Sequence, residues 1–221
     1  MDSRHTLSLP EAVLLLAIDE RSGAIRGAGE LRFGLAGGML IELRLHGRLV
    51  SEGRSLTVVD RLHTGDPLLD EVLSLMRQTS APRPVRSWLL RITRAIHDLL
   101  PRYLDRLARN GIVRHEQSRT LGLFSTDYYP LLALGSRYAL TERLRQITLA
   151  DARAEPRELA LLRLLEACGL LDALFARAEL RLVRSRLVTY STDERLSLMI
   201  AAEVASLRQD SAEFAYIVGI G

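Results

Sequence analysis

The chain has 221 residues, of which 48% are hydrophobic, 5% aromatic and 26% charged. This composition excludes an intrinsically disordered chain, and the length is sufficient to bury a substantial core. The formal net charge is only +3, which argues against a general binder of duplex nucleic acid. All 30 basic residues are arginine, since the sequence contains no lysine.

The first helix is predicted after Ser8, which has capping-box spacing to Glu11 with Pro10 in the first turn. The segment that follows, VLLLAI, is apolar on every side, and this predicts central burial. A glycine-rich loop, RSGAIRGAG, comes next. After it, apolar residues recur every four positions in GLAGGMLIELRLHG, which indicates a second core helix that ends at Gly47.

A hairpin is predicted over residues 48–60, because two β-type runs flank Glu52-Gly53. Asp66 and Pro67 predict the start of another helix, and QTSAPRP predicts a linker. Residues 85–111 are predicted to be helical, broken at Pro101 and stopped at Gly111.

A second hairpin is predicted over residues 112–124, with its turn near Glu116–Ser118, and residues 125–136 are predicted to form a loop. The remainder is predicted to be mostly helical, and the apolar tail is expected to pack back on the domain. The predicted helices cover about 136–150, 156–167, 169–189 with a break, and 192–208.

No pattern in the sequence indicates catalysis or metal binding. The five histidines are scattered without i, i+4 pairs, and no nucleophile is paired with a base. The glycines of GLAGG lack the spacing of a phosphate-binding loop, so we interpret them as sites where two helices approach closely. Cys168 lies in an apolar helical stretch and is interpreted as a buried, inert thiol. We therefore expect no catalytic residue, no metal and no cofactor.

Large apolar side chains lie near the end of the second hairpin, at Leu121, Leu123 and Phe124. They either pack on the helices or form an exposed tip that self-associates or inserts into a membrane. A helix followed by a two-stranded hairpin is also typical of a winged helix, but no three-helix recognition unit accompanies it. DNA binding therefore ranks below the other two interpretations, and no nucleic-acid partner is expected.

Several segments together resemble the Golgi phosphoprotein 3 family, and they occur in the family's order over roughly residues 6–220. The most specific combination is GLAGGMLIELRLHGRL followed by TGDPLLDEVL. The other matching segments are LSLPEAVLLLAID, PVRSW, RLARNGIV, TLGLF and RELALLRLLEACGLLDALF.

This resemblance implies a mainly α single domain over residues 1–221, with a central helical bundle, surrounding amphipathic helices and two small β-hairpins. It implies no catalysis. Eukaryotic members are peripheral membrane proteins that recognise phosphatidylinositol 4-phosphate and act as adaptors for Golgi glycosyltransferase tails. The hairpin corresponding to residues 112–126 is implicated there in self-association and membrane contact.

The family's head-group residues, a tryptophan and three arginines, correspond here to Gly27, Ala36, His97 and Leu100, so none is kept. Neighbouring basic residues are the substitutes we expect. Arg91, Arg94 and His97 follow helical spacing and can share one face. The full set of candidates is Arg26, Arg32, Arg91, Arg94, His97 and Arg102.

We therefore expect a cytoplasmic protein that associates peripherally with membranes, because no leader opens the chain and no apolar run is long enough to span a bilayer. The expected partner is an anionic phospholipid or phosphoinositide surface. The alternative is a self-associating adaptor without lipid binding, a homo-oligomer formed through the 112–126 hairpin. The all-arginine usage leads us to expect a bacterial member.

Overall fold

The structure is a computed structural model that describes residues 7–79, 81–120, 124–190 and 195–218. Helices dominate these residues, and the predicted mainly α architecture is confirmed. The helices of the described residues are α1 (Leu9–Ala17), α2 (Ala28–Leu45), α3 (Pro67–Arg77), α4 (Val85–Ala95), α5 (Leu99–Arg109), α6 (Leu134–Leu149), α7 (Pro156–Ala167), α8 (Leu180–Thr189) and α9 (Arg195–Val218).

Two small antiparallel sheets accompany the helices. The strands are β1 (Leu49–Glu52), β2 (Ser55–Val58), β3 (Arg83–Pro84), β4 (Glu116–Thr120) and β5 (Phe124–Tyr128). β1 and β2 form the predicted first hairpin, and β3 pairs with β2 through Leu56 opposite Arg83. Part of the predicted QTSAPRP linker is therefore a third strand, which fixes Arg83 at the entrance to α4.

Helices α1 and α2 form the centre of the core. The Ser8–Glu11 capping box is present at the start of α1, and every residue of α1 is buried. α2 contacts α1, α3, α4, α5, α7 and α9. Its start lies inside the predicted glycine-rich loop, because Gly27 adopts a left-handed conformation (φ 60°) that allows the chain to enter the helix at Ala28.

The glycines of α2 allow close packing, as predicted. A Cβ atom added at Gly38 would lie 3.1 Å from the backbone nitrogen of Pro10 on α1. One added at Gly37 would lie 2.9 Å from a methyl group of Val204 on α9. The GLAGG segment therefore has a packing role in the centre of the core.

The predicted helix break at Pro101 is wrong in position. α4 ends at Ala95, and α5 starts at Leu99, so the break falls on residues 96–98. Pro101 lies in the first turn of α5, where its missing N–H costs no helical hydrogen bond. The predicted stop at Gly111 is confirmed, since this residue takes a positive φ of 67° directly after the helix.

The second hairpin is longer than predicted and has its turn elsewhere. Glu116–Ser118 belongs to β4 and pairs with β5, and much of the predicted loop after residue 124 is strand β5. The connection between the two strands, residues 121–123, lies outside the described residues. The base of the hairpin is closed by hydrogen bonds from the Arg114 amide to the Pro130 carbonyl oxygen and from the Leu132 amide to the Ile112 carbonyl oxygen.

The C-terminal part follows the predicted helices closely. The expected break within residues 169–189 is present as a short 3₁₀ turn before α8. α9 continues to Val218, so much of the predicted apolar tail extends this helix. Cys168 lies against Gly34 of α2, and desolvation raises the pKa of its thiol to about 12, as expected for an inert side chain.

Candidate site: two arginine clefts on helix α4

The structure brings some of the predicted basic residues together and separates the others. Arg32 and Arg94 line one cleft, and Arg91 and Arg94 line a second cleft on the same helix. We call them the inner cleft, which α2, α4 and α9 form, and the outer cleft, which α3, β3 and α4 form. Arg94, in the last turn of α4, is common to both.

The inner cleft has a volume of about 480 Å³. Arg32 projects from the first part of α2, and its guanidinium lies 4.9 Å from the ring centre of Phe33. Arg94 is exposed and makes no hydrogen bond or ion pair with any residue that the structure describes. Two guanidinium groups that have no carboxylate partner among the described residues therefore border this cleft from different helices.

A third arginine in the inner cleft, Arg86, is already neutralised. Its guanidinium donates to Asp210 of α9 at 2.6 Å and lies 3.7 Å from Glu203. The hydrogen bond to Asp210 is the main reason that the pKa of Arg86 is raised. Arg86 therefore fastens α4 to α9, while Arg32 and Arg94 remain able to bind an anion.

The outer cleft has a volume of about 540 Å³ and is more strongly basic. Its lining includes Arg83, Arg91 and Arg94, and none of the described residues that line it is acidic. Arg91 is positioned by a 3.1 Å hydrogen bond to the neutral side chain of Gln78 and by the ring of Trp88, 5.9 Å away. These two contacts fix the position of the Arg91 guanidinium, and neither of them neutralises its positive charge.

The other predicted basic residues lie elsewhere. Arg26 pairs with Asp19 at 2.9 Å in the loop before α2. His97 is exposed in the connection between α4 and α5 and lines neither cleft. Arg102 pairs with Glu71 at 2.7 Å, and that hydrogen bond is the main reason that its pKa is raised.

Arg102 also borders a third and larger cavity of about 680 Å³ between α1, α3 and α5. Arg106 and Asp66 form a two-pronged ion pair on its wall, with distances of 2.5 and 2.7 Å. Burial raises the pKa of Asp66, but the hydrogen bonds from Arg106 and from the amides of Leu68 and Leu69 outweigh it and hold this pKa below its usual range. Positive and negative groups alternate here, so this cavity does not favour anions as the outer cleft does.

Sequence reasoning missed Arg83 and Arg86. Arg83 precedes α4, so helical periodicity gives no reason to place it beside Arg91, and only its pairing with β2 does so. Arg86 could have been found by extending the basic spacing of α4 back by two turns from Arg94. The sequence gives no sign of its partner Asp210, which lies on another helix.

Apart from His97, the positions that match the family's head-group residues carry no basic side chain. Gly27 is the N-terminal cap of α2, and Ala36 is fully buried. Leu100 is partly buried against the core. Any head-group site in this chain therefore depends on other arginines.

The hairpin candidates remain a prediction. Leu121 and Leu123 lie outside the described residues. The backbone of Phe124 opens β5 opposite Thr120, and its side chain is outside the described part.

Comparison with known proteins identifies the family of this chain. Residues 9–207 match the family described as Golgi phosphoprotein 3 (GPP34), and the chain belongs to this family. It is also 28% identical over 164 residues to the vacuolar protein sorting-associated protein 74 of Eremothecium gossypii. That alignment covers 64% of this chain and 49% of the relative, so the chain spans about half the length of the curated relative it matches.

Two features are absent from the described residues, a membrane-spanning helix and a cluster of metal ligands. Within those residues, no helix combines the length and the apolar character needed to cross a membrane. The same part of the chain contains no group of three or more histidine, cysteine or acidic side chains placed to hold a metal ion.

Proposed function

We propose that this protein binds anionic phospholipid peripherally and without catalysis, through the inner cleft, with phosphatidylinositol 4-phosphate as the preferred head group. The observation that carries this proposal is the pair Arg32 and Arg94, which border one cleft from two helices and have no carboxylate partner in the part of the chain that the structure describes. Arginine binds phosphate through two parallel hydrogen bonds, and such charge-assisted bonds are about twice as strong as neutral ones. Membership of the Golgi phosphoprotein 3 family supports the phosphoinositide.

A membrane interaction of this kind gains from a second, apolar contribution. Basic residues near an anionic surface contribute about 1 kcal/mol each, and stable anchoring usually takes two signals. The β4–β5 hairpin carries Leu121, Leu123 and Phe124 and would insert these side chains between lipids. The arginines would attract the protein to the anionic surface, and the apolar side chains of the hairpin would anchor it in the bilayer.

Liposome co-sedimentation tests the lipid preference. Neutral phosphatidylcholine vesicles are compared with vesicles containing phosphatidylserine and with vesicles containing phosphatidylinositol 4-phosphate at matched charge. We expect the last to bind most protein, because a phosphate monoester offers more acceptor oxygens to Arg32 and Arg94 than a carboxylate does. Failure to bind either charged vesicle would refute lipid binding.

A matched pair of variants ties the binding to the cleft. Arg32→Ala should weaken binding to phosphatidylinositol 4-phosphate about fivefold, since one arginine is worth roughly 1 kcal/mol at such a surface. Arg177→Ala removes the same charge from an exposed site before α8, where it has no partner among the described residues. If the two variants lost equal affinity for these vesicles, the effect would come from net charge alone, and binding at the inner cleft would be contradicted.

The hairpin is tested separately. Phe124→Asp should weaken liposome binding while leaving the thermal unfolding curve unchanged, because it replaces an inserting side chain with a charge. If Phe124→Asp bound liposomes as well as the unmodified protein, the hairpin would not be part of the membrane contact.

One observation favours self-association as a second candidate function. Leu132, Leu134 and Tyr138, next to the base of the β4–β5 hairpin, are 48%, 42% and 55% exposed. Neighbouring apolar side chains at a surface often mark an interface. If a second copy covers them, the molecular mass in solution should rise with protein concentration, and Leu134→Asp should abolish this rise. A constant monomer mass would exclude this candidate.

A further inference from the structure

The outer cleft concentrates positive charge that no acidic group of the described residues compensates. Arg83, Arg91 and Arg94 line it together, and none of them forms an ion pair with a carboxylate of the described residues. The inner cleft differs, because Asp210 and Glu203 neutralise its Arg86. Three like charges beside one cleft repel one another, so an anion that binds there relieves this repulsion.

The geometry of α4 arranges these groups along a stripe. Ser87, Arg91 and Arg94 are spaced i, i+4 and i+7, so they share one face of the helix over about 10 Å. Arg83 extends the stripe from β3, where pairing with Leu56 of β2 fixes its backbone. The arrangement is therefore elongated and built from two different elements.

A second observation points to a missing partner. The Nε atom of Arg83 is buried and has no hydrogen-bond partner among the described residues. Buried donors in folded proteins are nearly always satisfied, because an unsatisfied one costs about 1–3 kcal/mol. An anion that accepted a hydrogen bond from this group would remove that cost.

The geometry points to the outer cleft as a second anion site, separate from the inner cleft, that takes the phosphate-monoester group of its ligand. A phosphate monoester carries up to two negative charges and three acceptor oxygens, which suits several guanidinium forks and the Ser87 hydroxyl group. A single carboxylate, with two oxygens, would leave some of these donors unused. The ligand is either a phospholipid head group or a soluble phosphate compound, since both present the same chemistry.

This site goes beyond the proposed function, because Arg83 and Arg91 do not line the inner cleft. Arg94 is the only arginine among the described residues that lines both clefts, so it is left unchanged in the test. Variants of Arg32 report on the inner cleft alone, and variants of Arg83 or Arg91 report on the outer cleft alone.

The test is calorimetric titration of the full chain with glycerol 3-phosphate, with glycerol as the uncharged control. Arg32→Ala should bind the phosphate with an affinity within about twofold of the unmodified protein. Adding Arg91→Ala should weaken binding about tenfold, as expected for loss of a hydrogen bond to a charged group. Adding Arg177→Ala instead should change nothing. The site is refuted if Arg91→Ala has no more effect than Arg177→Ala, or if Arg32→Ala alone removes binding.

A second variant guards against a folding defect, since Arg91 packs on Trp88. Arg83 lies on β3, and Arg83→Gln should weaken phosphate binding by a similar factor while the thermal unfolding midpoint stays unchanged. Unaltered phosphate affinity in a folded Arg83→Gln protein would also overturn the proposal.

Vesicles identify the source of the phosphate. With Arg32→Ala as background, vesicles containing phosphatidic acid are compared with vesicles containing phosphatidylglycerol at matched charge. A preference for phosphatidic acid that Arg91→Ala removes would assign the site to a lipid head group. Binding of glycerol 3-phosphate without this preference would assign it to a soluble phosphate compound. Binding of neither ligand would overturn the proposal.

Discussion

The arginine side chains that the structure describes include some that pair with a carboxylate and others that have no carboxylate partner among the described residues. Arg106 and Arg157 belong to the first group and make two-pronged pairs with Asp66 and Glu42. Arg32 and Arg94 belong to the second group. Sequence alone does not separate the groups, because the partners of the first are often distant in the chain. The contacts do separate them, and they identify which arginines are available to a ligand.

Glu42 provides a test of the first group. It is buried, it accepts the Leu9 amide at 2.5 Å, and it accepts two hydrogen bonds from Arg157. Glu42→Ala should lower the free energy of unfolding by about 3 kcal/mol, because it leaves a guanidinium and an amide without their partner. Urea unfolding measures this loss.

Arg26→Ala serves as the comparison, since its pair with Asp19 is largely exposed. It should cost less than about 1 kcal/mol. If the two variants were equally stable, the structural importance of the buried Glu42–Arg157 pair would be disproved.

Asp66 predicts a dependence of stability on pH. Its pKa in the folded state lies below its unfolded value of about 3.9, so its stabilising contribution is complete above that value and is lost as the pH falls through the folded pKa. Asp66→Asn keeps an oxygen to cap α3 but removes the charge that pairs with Arg106. The difference in unfolding free energy between the unmodified protein and Asp66→Asn should be constant above about pH 5 and smaller at pH 3. Urea midpoints that differ equally at pH 7 and pH 3 would argue against this charge effect.

Among the elements, α2 has the strictest packing requirement, and its glycines show why. An added Cβ at Gly38 would meet the backbone of Pro10 at 3.1 Å, and backbone yields less easily than a side chain. Gly38→Ala should therefore destabilise the protein by about 1–3 kcal/mol in thermal or urea unfolding.

Gly29→Ala is the matched control in the same helix, because an added Cβ there would have no heavy atom within 4 Å. It should raise stability by up to about 1 kcal/mol through helix propensity. If the two substitutions changed the stability similarly, contact with α1 would not be the reason that α2 requires glycine at position 38.

Elements with local signals were predictable from the sequence. The capping box of α1 and the Asp66-Pro67 start of α3 are both present, because caps act within one helical turn. The break between α4 and α5 was misplaced, since a proline stops a helix only when it falls after the first turn. Strand β3 was missed because two residues carry no periodicity, and only their partner strand defines them.

At the scale of the whole molecule, the candidate site combines residues from five elements. Arg91 and Arg94 were predictable as neighbours because they share a helix, and Arg32 was named from its position in the chain. The grouping into two clefts was not predictable, since it depends on how α2, α3, β3 and α9 pack around α4. The family resemblance predicted the fold. It could not locate the site, because this chain has different residues at the family's head-group positions, and only the structure shows which other arginines lie together.

Charge reversal at Arg94 is the sharpest test of lipid binding by Arg32 and Arg94, which have no carboxylate partner among the described residues. Arg94→Glu and Arg177→Glu change the net charge equally, but only the first lies in the clefts. In co-sedimentation with vesicles containing phosphatidylinositol 4-phosphate, Arg94→Glu should lower the affinity about tenfold or more, because it both removes an attraction and adds a repulsion. Arg177→Glu should have a much smaller effect. Equal binding by the two variants would show that Arg94 does not bind the lipid.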